Sequence, residues 1–380
     1  MLPYGRHQID DEDIGAVVEV LRSDWLTTGP KVVEFEETLA DCVNAREAVA
    51  VSSGTAALHA AMYALGIGPG DEVIVPPITF AATANCVAYQ GGRAVFADVD
   101  ASSLLLDVEQ VEANITPRTK AIIAVDYAGQ PCDYDALRAV ADRHDVQLVA
   151  DACHALGASY KGRPVGSVAD MSVFSFHPVK HVAAGEGGAI TTNDPGLAER
   201  MRAFRNHGIT TDHHQRAKRG DFFYEMDELG YNYRLSDIQC ALALSQMRKL
   251  PQSISRRREI AAIYDEAFAE TPTIAPLKTA SGALHSYHLY VVQLEEVERA
   301  QVFAGLRAEN IGVNVHYIPV YWHPYYERLG YSRGLCPVAE AAYERILSLP
   351  MFQGITDRDV EDVVTAVEKV VDLSVASPSG

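Results

Sequence analysis

The chain lacks the signals that direct a protein to a membrane, a nucleic acid or an oxidising compartment. No stretch approaches the roughly 18 uninterrupted apolar residues of a membrane span. The start, Met1-Leu2-Pro3-Tyr4-Gly5-Arg6, carries no apolar run of the secretory kind, so no signal peptide is expected. Basic residues are outnumbered, 32 Lys and Arg against 51 Asp and Glu, for a net charge of −19. Nucleic-acid backbones and anionic lipid surfaces are bound by basic faces, so neither is an expected partner. Cysteine is sparse: Cys42, Cys86, Cys132, Cys153, Cys240 and Cys336 are scattered, with no CxxC pair. In a chain of 380 residues such cysteines read as reduced thiols and point to the cytoplasm. There is no internal repeat and no long low-complexity tract.

What the chain does have is apolar material, 48% of its residues, enough for a large core and two or three domains. Short runs rich in Val and Ile recur at 48–51, 71–76, 94–99, 120–125, 146–151, 171–175 and 188–192. Helix-like stretches, such as 134–144, separate several of them. Near-continuous apolar strands alternating with helices predict an α/β fold with a mostly parallel sheet covered on both faces. Such a sheet binds its ligand beyond the carboxyl ends of its strands. A helical pattern over 239–258 carries Arg248, Lys249, Arg256, Arg257 and Arg258 and reads as a solvated connecting helix. Beyond it, segments 287–294, 301–310 and 313–317 predict a smaller α+β unit, closed by a helix over 357–371.

Several residues are placed for chemistry. Ser53-Gly54-Thr55 follows a strand and opens a helix. Small residues there let the backbone approach an anion, and the first N–H groups of a helix favour phosphate. The same residues also make an ordinary N-cap. Asp151 ends an apolar strand, where a carboxylate is costly unless paired. It could cap a helix, or hold the proton on a buried pyridine nitrogen. Lys180 follows another buried strand. Burial lowers an ammonium pKa and makes a lysine a Schiff-base candidate, although most lone lysines are solvated. The turn Gly185-Glu186-Gly187-Gly188 indicates close backbone packing. Phe80, after Thr79, is either a core aromatic or a ring that stacks on a heterocycle. In order, and with Ser175 five positions before Lys180, these residues describe one cofactor. The 13 histidines raise a metal site, and His213-His214 and His285/His288 have spacings found in zinc proteins. No Cys or carboxylate set completes them, so no metal is expected.

The marks extend along the chain: Trp25-Leu26-Thr27-Thr28-Gly29-Pro30, Ser53-Gly54-Thr55, Thr79-Phe80, Asp151-Ala152-Cys153-His154-Ala155, Ser175 to Lys180, Glu186-Gly187-Gly188 and Gly230-Tyr231-Asn232-Tyr233-Arg234. With them the chain, from Tyr4 to Leu373, resembles the fold-type I pyridoxal-phosphate enzymes, and among these the DegT/DnrJ/EryC1/StrS sugar aminotransferases. The resemblance implies a large cofactor-binding domain over 1–250 with a mostly parallel seven-stranded sheet between helices. It implies a smaller α+β domain over 251–373, and the small, polar residues that follow read as a flexible tail over 374–380. It places Gly54, Thr55 and Ser175, with Ser53 beside them, at the cofactor phosphate. Phe80 would stack on the ring, Asp151 pair with its nitrogen and Lys180 carry it. His154, where most members have Gln, would lie near its 3-hydroxyl. Asn232 would reach the phosphate of a neighbouring subunit, which implies a homodimer with shared sites. Tyr4, Arg6, Thr28, Lys31, Arg234, His316 and Tyr317 are the expected contacts to a nucleotide sugar.

Two further comparisons narrow the expectation. A related branch that removes a sugar hydroxyl has His where this chain has Lys180, so amino transfer is implied. Pro3-Tyr4-Gly5-Arg6-His7, Ser175-Phe176-His177-Pro178, His316-Tyr317-Ile318-Pro319-Val320, His323-Pro324-Tyr325-Tyr326 and Leu347-Ser348-Leu349-Pro350 resemble the branch that serves pseudaminic acid synthesis. That branch takes an amino group from L-glutamate to the C4 ketone of UDP-2-acetamido-2,6-dideoxy-β-L-arabino-hex-4-ulose. The product is UDP-4-amino-4,6-dideoxy-N-acetyl-β-L-altrosamine. The alternatives are a transaminase of another nucleotide-linked keto sugar and a non-catalytic regulator that binds pyridoxal phosphate.

Overall fold

The computed structural model describes residues 1–210, 220 and 222–376; the His213-His214 pair and residues 377–380 lie outside them. The seven apolar runs form one sheet. Its strands are β1 (Glu47–Val51), β2 (Glu72–Val75), β3 (Arg93–Phe96), β4 (Thr119–Val125), β5 (Gln147–Asp151), β8 (Met171–Ser175) and β9 (Gly188–Thr192), in the order β1-β9-β8-β5-β4-β2-β3. Only β9 runs against its neighbours; β8, β5, β4, β2 and β3 are parallel in turn. Every residue of β2 and β9 is buried, as expected of strands covered on both faces. The strand directions bring the ends of β4, β5 and β8 to one edge, where Asp151 and Ser175 stand. Two short sheets complete the chain: β6 (Ser159–Tyr160) between β7 (Arg163–Pro164) and β11 (Ala283–Leu284), and β12 (Tyr290–Leu294) between β10 (Ile274–Pro276) and β13 (Ile346–Leu349).

Four helices matter for the site: α1 (Asp11–Leu21), α2 (Pro30–Val43), α3 (Gly54–Ala64) and α4 (Ala82–Tyr89). The first two pack on a 32-residue helix, Asp237–Phe268, which starts at a Ser236–Gln239 capping box. This helix joins two apolar cores. Residues up to Ile254 pack into the core around the large sheet, and residues from Ile260 pack with β12, β13 and the last helix, Asp357–Ala376.

The structure corrects two details of the C-terminal half. The basic helix is not uniformly solvated, because Arg257 is 2% exposed. Its guanidinium donates to the carbonyls of Tyr287 and Met351 at 3.0 and 3.1 Å, pinning the turn before β12. The segment 313–317 forms no strand; it follows an irregular path and touches β13 only through the Asn314–Ser348 bridge.

Candidate active site at the strand ends

A cavity of about 540 Å³ opens at the carboxyl ends of the central strands. Eleven of the sequence-predicted residues line it: Tyr4, Ser53, Gly54, Thr55, Phe80, Asp151, His154, Ser175, Lys180, His316 and Tyr317.

The first wall is the start of α3. Ser53, extended at φ −167°, accepts the Ala56 N–H at 3.1 Å and sets the helix axis toward the cavity. The turn beneath is built for close approach. A Cβ on Gly54 would lie 3.0 Å from the Ser175 Cβ, and one on Gly188 would lie 2.3 Å from the Ser53 carbonyl oxygen. Glycine at 188, the first residue of β9, therefore lets that strand press against the helix start. The result is a cradle of backbone N–H groups, with the Ser175 hydroxyl facing it across the Gly54 position.

Asp151 is buried at the end of β5. One oxygen accepts the Thr83 hydroxyl at 2.7 Å, and Thr83 in turn contacts the Thr79 hydroxyl at 2.7 Å. Its other oxygen accepts the Cys153 N–H at 3.3 Å. Thr83 is a residue that sequence reading missed; its one signal was a spacing of four from Thr79 at the start of α4.

Lys180 sits on a short turn after β8, closed by its own N–H to the His177 carbonyl at 2.9 Å. Burial lowers its amine to about 8, opposed by the neighbouring Cys153 and Asp151 side chains. Its Nζ lies 3.2 Å from His288 Nε2. Sequence reading took His288 only as half of a zinc-like pair, but His285 turns away and accepts the Tyr287 N–H at 2.8 Å. Among the described residues no group of three or more His, Cys, Asp or Glu side chains is placed to hold a metal ion. His154 pairs with the Tyr317 hydroxyl at 3.2 Å and lies beside His288, ring centres 4.3 Å apart. Burial pushes both imidazoles well below their ordinary range and His316 down to about 4, so the histidine wall is neutral. Phe80 is 61% exposed at the cavity mouth, its ring 6.2 Å from Tyr317.

Five predicted residues stand outside the cavity of this chain. Arg6 is exposed. Thr28 is half-buried before α2, and Lys31 pairs with Glu34 at 2.6 Å. Asn232 is exposed, and Arg234 donates to the Asn206 side chain at 2.8 Å.

The DegT/DnrJ/EryC1/StrS aminotransferase family profile matches residues 7–368. The chain belongs to this family. It is 44% identical to the spore coat polysaccharide biosynthesis protein SpsC of Bacillus subtilis, over 97% of both chains. Among solved structures it matches the putative sugar aminotransferase Spr1654 of Streptococcus pneumoniae in its PMP form, with a TM-score of 0.94, 32% identity, and 98% and 100% of the two chains covered. It also matches Helicobacter pylori PseC, an aminotransferase involved in pseudaminic acid biosynthesis, with a TM-score of 0.92, 34% identity, and 98% and 99% coverage. This member of the family is thus a sugar aminotransferase that uses pyridoxal phosphate, and Spr1654 is also solved in its PLP form. The cavity fits that group. It offers a glycine-lined helix start for a phosphate, a buried carboxylate for a ring nitrogen and a buried amine of lowered pKa for an aldehyde.

Proposed function

We propose that the protein moves an amino group from L-glutamate to the C4 ketone of a UDP-linked 4-keto-6-deoxy-N-acetylhexosamine in the cytoplasm, yielding the 4-amino sugar of pseudaminic acid synthesis. The observation that carries amino transfer is the convergence of Lys180, Asp151 and the α3 start in one cavity. The likeness to PseC and the placement of His316 and Tyr317 over that cavity support the sugar.

Bound pyridoxal phosphate supplies an electron sink for the donor's Cα–H electrons. In this reading the first turn of α3 and Ser175 hold the phosphate, and Phe80 covers one ring face. Asp151, held by Thr83, keeps the proton on the ring nitrogen. Lys180 would anchor the cofactor and, as a free amine, would take up and return the proton of the donor Cα. Exposed Asn232 is assigned to the phosphate of a second subunit, making the working form a homodimer. The two apolar cores are taken as its two domains.

The higher identity to a spore coat polysaccharide protein supports a second reading, in which another nucleotide-linked keto sugar is the acceptor. A panel of UDP-4-keto and dTDP-3-keto sugars, incubated with glutamate and read by mass spectrometry, separates the two. Lys180→Ala should abolish turnover and the cofactor's absorbance change with glutamate. Colourless purified protein together with full activity of Lys180→Ala would end the aminotransferase reading for these residues.

A further inference from the structure

His288 has no task in the scheme above, yet it touches the reacting amine. Its place is fixed from several sides. Tyr287 turns the chain at φ +50°, and the flanking Ser286 and Leu289 N–H groups bond the Gly129 and Ala128 carbonyls at 3.0 and 3.1 Å. Arg257 pins the Tyr287 carbonyl behind the ring. A Cβ on Gly129 would come within 2.9 Å of the backbone nitrogen of His288, so that loop is glycine where this turn docks. All this aims Nε2 at Lys180, while Nδ1 is buried without a protein partner among the described residues. The one hydrogen-bonding contact of the His288 ring among the described residues is therefore the one to the amine.

We propose that His288 is a positioning residue for Lys180, its Nε2 accepting a hydrogen bond from the amine and holding it on the His154 side of the cavity whenever the amine is free. This rests on the reading of Lys180 as the reacting lysine. Nε2 accepts when Nδ1 carries the ring proton. The imidazole stays neutral because burial, with Lys180, His154, His181 and Arg257 around it, pushes it well below its ordinary range. The amine itself faces Asp151, Cys153, Arg257, His154, His181 and His316, none of which a change at 288 removes. A neutral acceptor favours the ammonium, so losing it lowers the amine pKa further.

Two variants separate the contact from the bulk. His288→Gln puts an amide oxygen near the Nε2 position, and His288→Asn puts one near Nδ1, short of the amine. The first readout uses cofactor-free protein: acylation of Lys180 by acetic anhydride across pH, followed by mass spectrometry. The wild-type midpoint is expected near 8. Gln should keep it, and Asn should lower it by about half a pH unit or more. The second readout is the glutamate half-reaction of the loaded enzyme. Asn should slow it about tenfold with little change in KM, and Gln should recover most of the loss. Equal behaviour of Gln and Asn, in either direction, overturns the proposal. If the Asn chain does not fold, Gln decides alone: wild-type midpoint and rate support the contact, and a tenfold slower half-reaction refutes it. Failure of the parent reading shows separately, as an unchanged glutamate response in Lys180→Ala.

Discussion

Asp126 offers a test of the electrostatics beneath the site. It follows β4, and its N–H donates to the Asp151 carbonyl at 3.1 Å. The side chain is fully buried. One oxygen accepts the Cys132 N–H at 2.9 Å and the Tyr134 hydroxyl at 2.7 Å, and the other has no protein partner among the described residues. Burial, reinforced by the Asp151 charge, pushes the carboxyl up to about 7 against those two donors. Between pH 4 and 7 the unfolded chain ionises here while the folded chain stays neutral. Stability then falls by about 1.4 kcal/mol per pH unit and levels off above pH 7, for a ceiling of roughly 4 kcal/mol. Asp126→Asn keeps the accepting oxygen and removes the titration. Its stability relative to wild type should therefore rise by about 3 kcal/mol between pH 5 and pH 8. For a chain of this length melting as one unit, that is a gap in Tm widening by roughly 4 °C. Calorimetry of both cofactor-free proteins at pH 5, 6, 7 and 8 measures it. A gap that stays constant across that range refutes a neutral Asp126.

Two further outcomes follow from the cradle. Thr83→Val removes a hydroxyl donor from the buried Asp151 carboxylate, a bond worth about 1.5–3 kcal/mol. Cofactor affinity measured by absorbance titration should drop about tenfold, and an unchanged dissociation constant would show that Thr83 does not support Asp151. Gly188→Ala drives a Cβ to 2.3 Å from the Ser53 carbonyl oxygen, so the start of α3 must shift and cofactor affinity should fall at least about tenfold. Gly15→Ala, in open space on α1, is the control and should gain about 0.5–1 kcal/mol of stability without touching affinity.

The strands were legible because each is a near-continuous apolar run, the pattern that burial on both faces favours. Lys180, Asp151 and Gly54 were legible for a related reason: each stands at the boundary between such a run and a turn, where a polar residue or glycine has few structural excuses. Thr83 and His288 carry no such mark. Thr83 is one hydroxyl in an otherwise ordinary helix start, and its meaning depends on Asp151, 68 positions away. His288 acquires its meaning from Lys180, 108 positions away, and beside His285 it looked like a zinc pair. Arg257 was misread for the opposite reason, since a helical run of five basic residues gives no sign of which one faces carbonyls.

These long-range partners explain how one cavity can hold a lysine and a carboxylate without fusing them into an ion pair. Asp151 is engaged by Thr83 and the Cys153 N–H, not by the amine. Lys180 turns to a neutral histidine, and burial lowers its pKa because no full salt bridge offsets the loss of water. A direct pair would raise the amine and spend the carboxylate, leaving neither free for a cofactor. The wall of neutral histidines is therefore the counterpart of the isolated carboxylate: it offers the amine hydrogen-bonding company without charge. Replacing that wall with an anion is the change that should most damage Lys180, more than removing any single histidine.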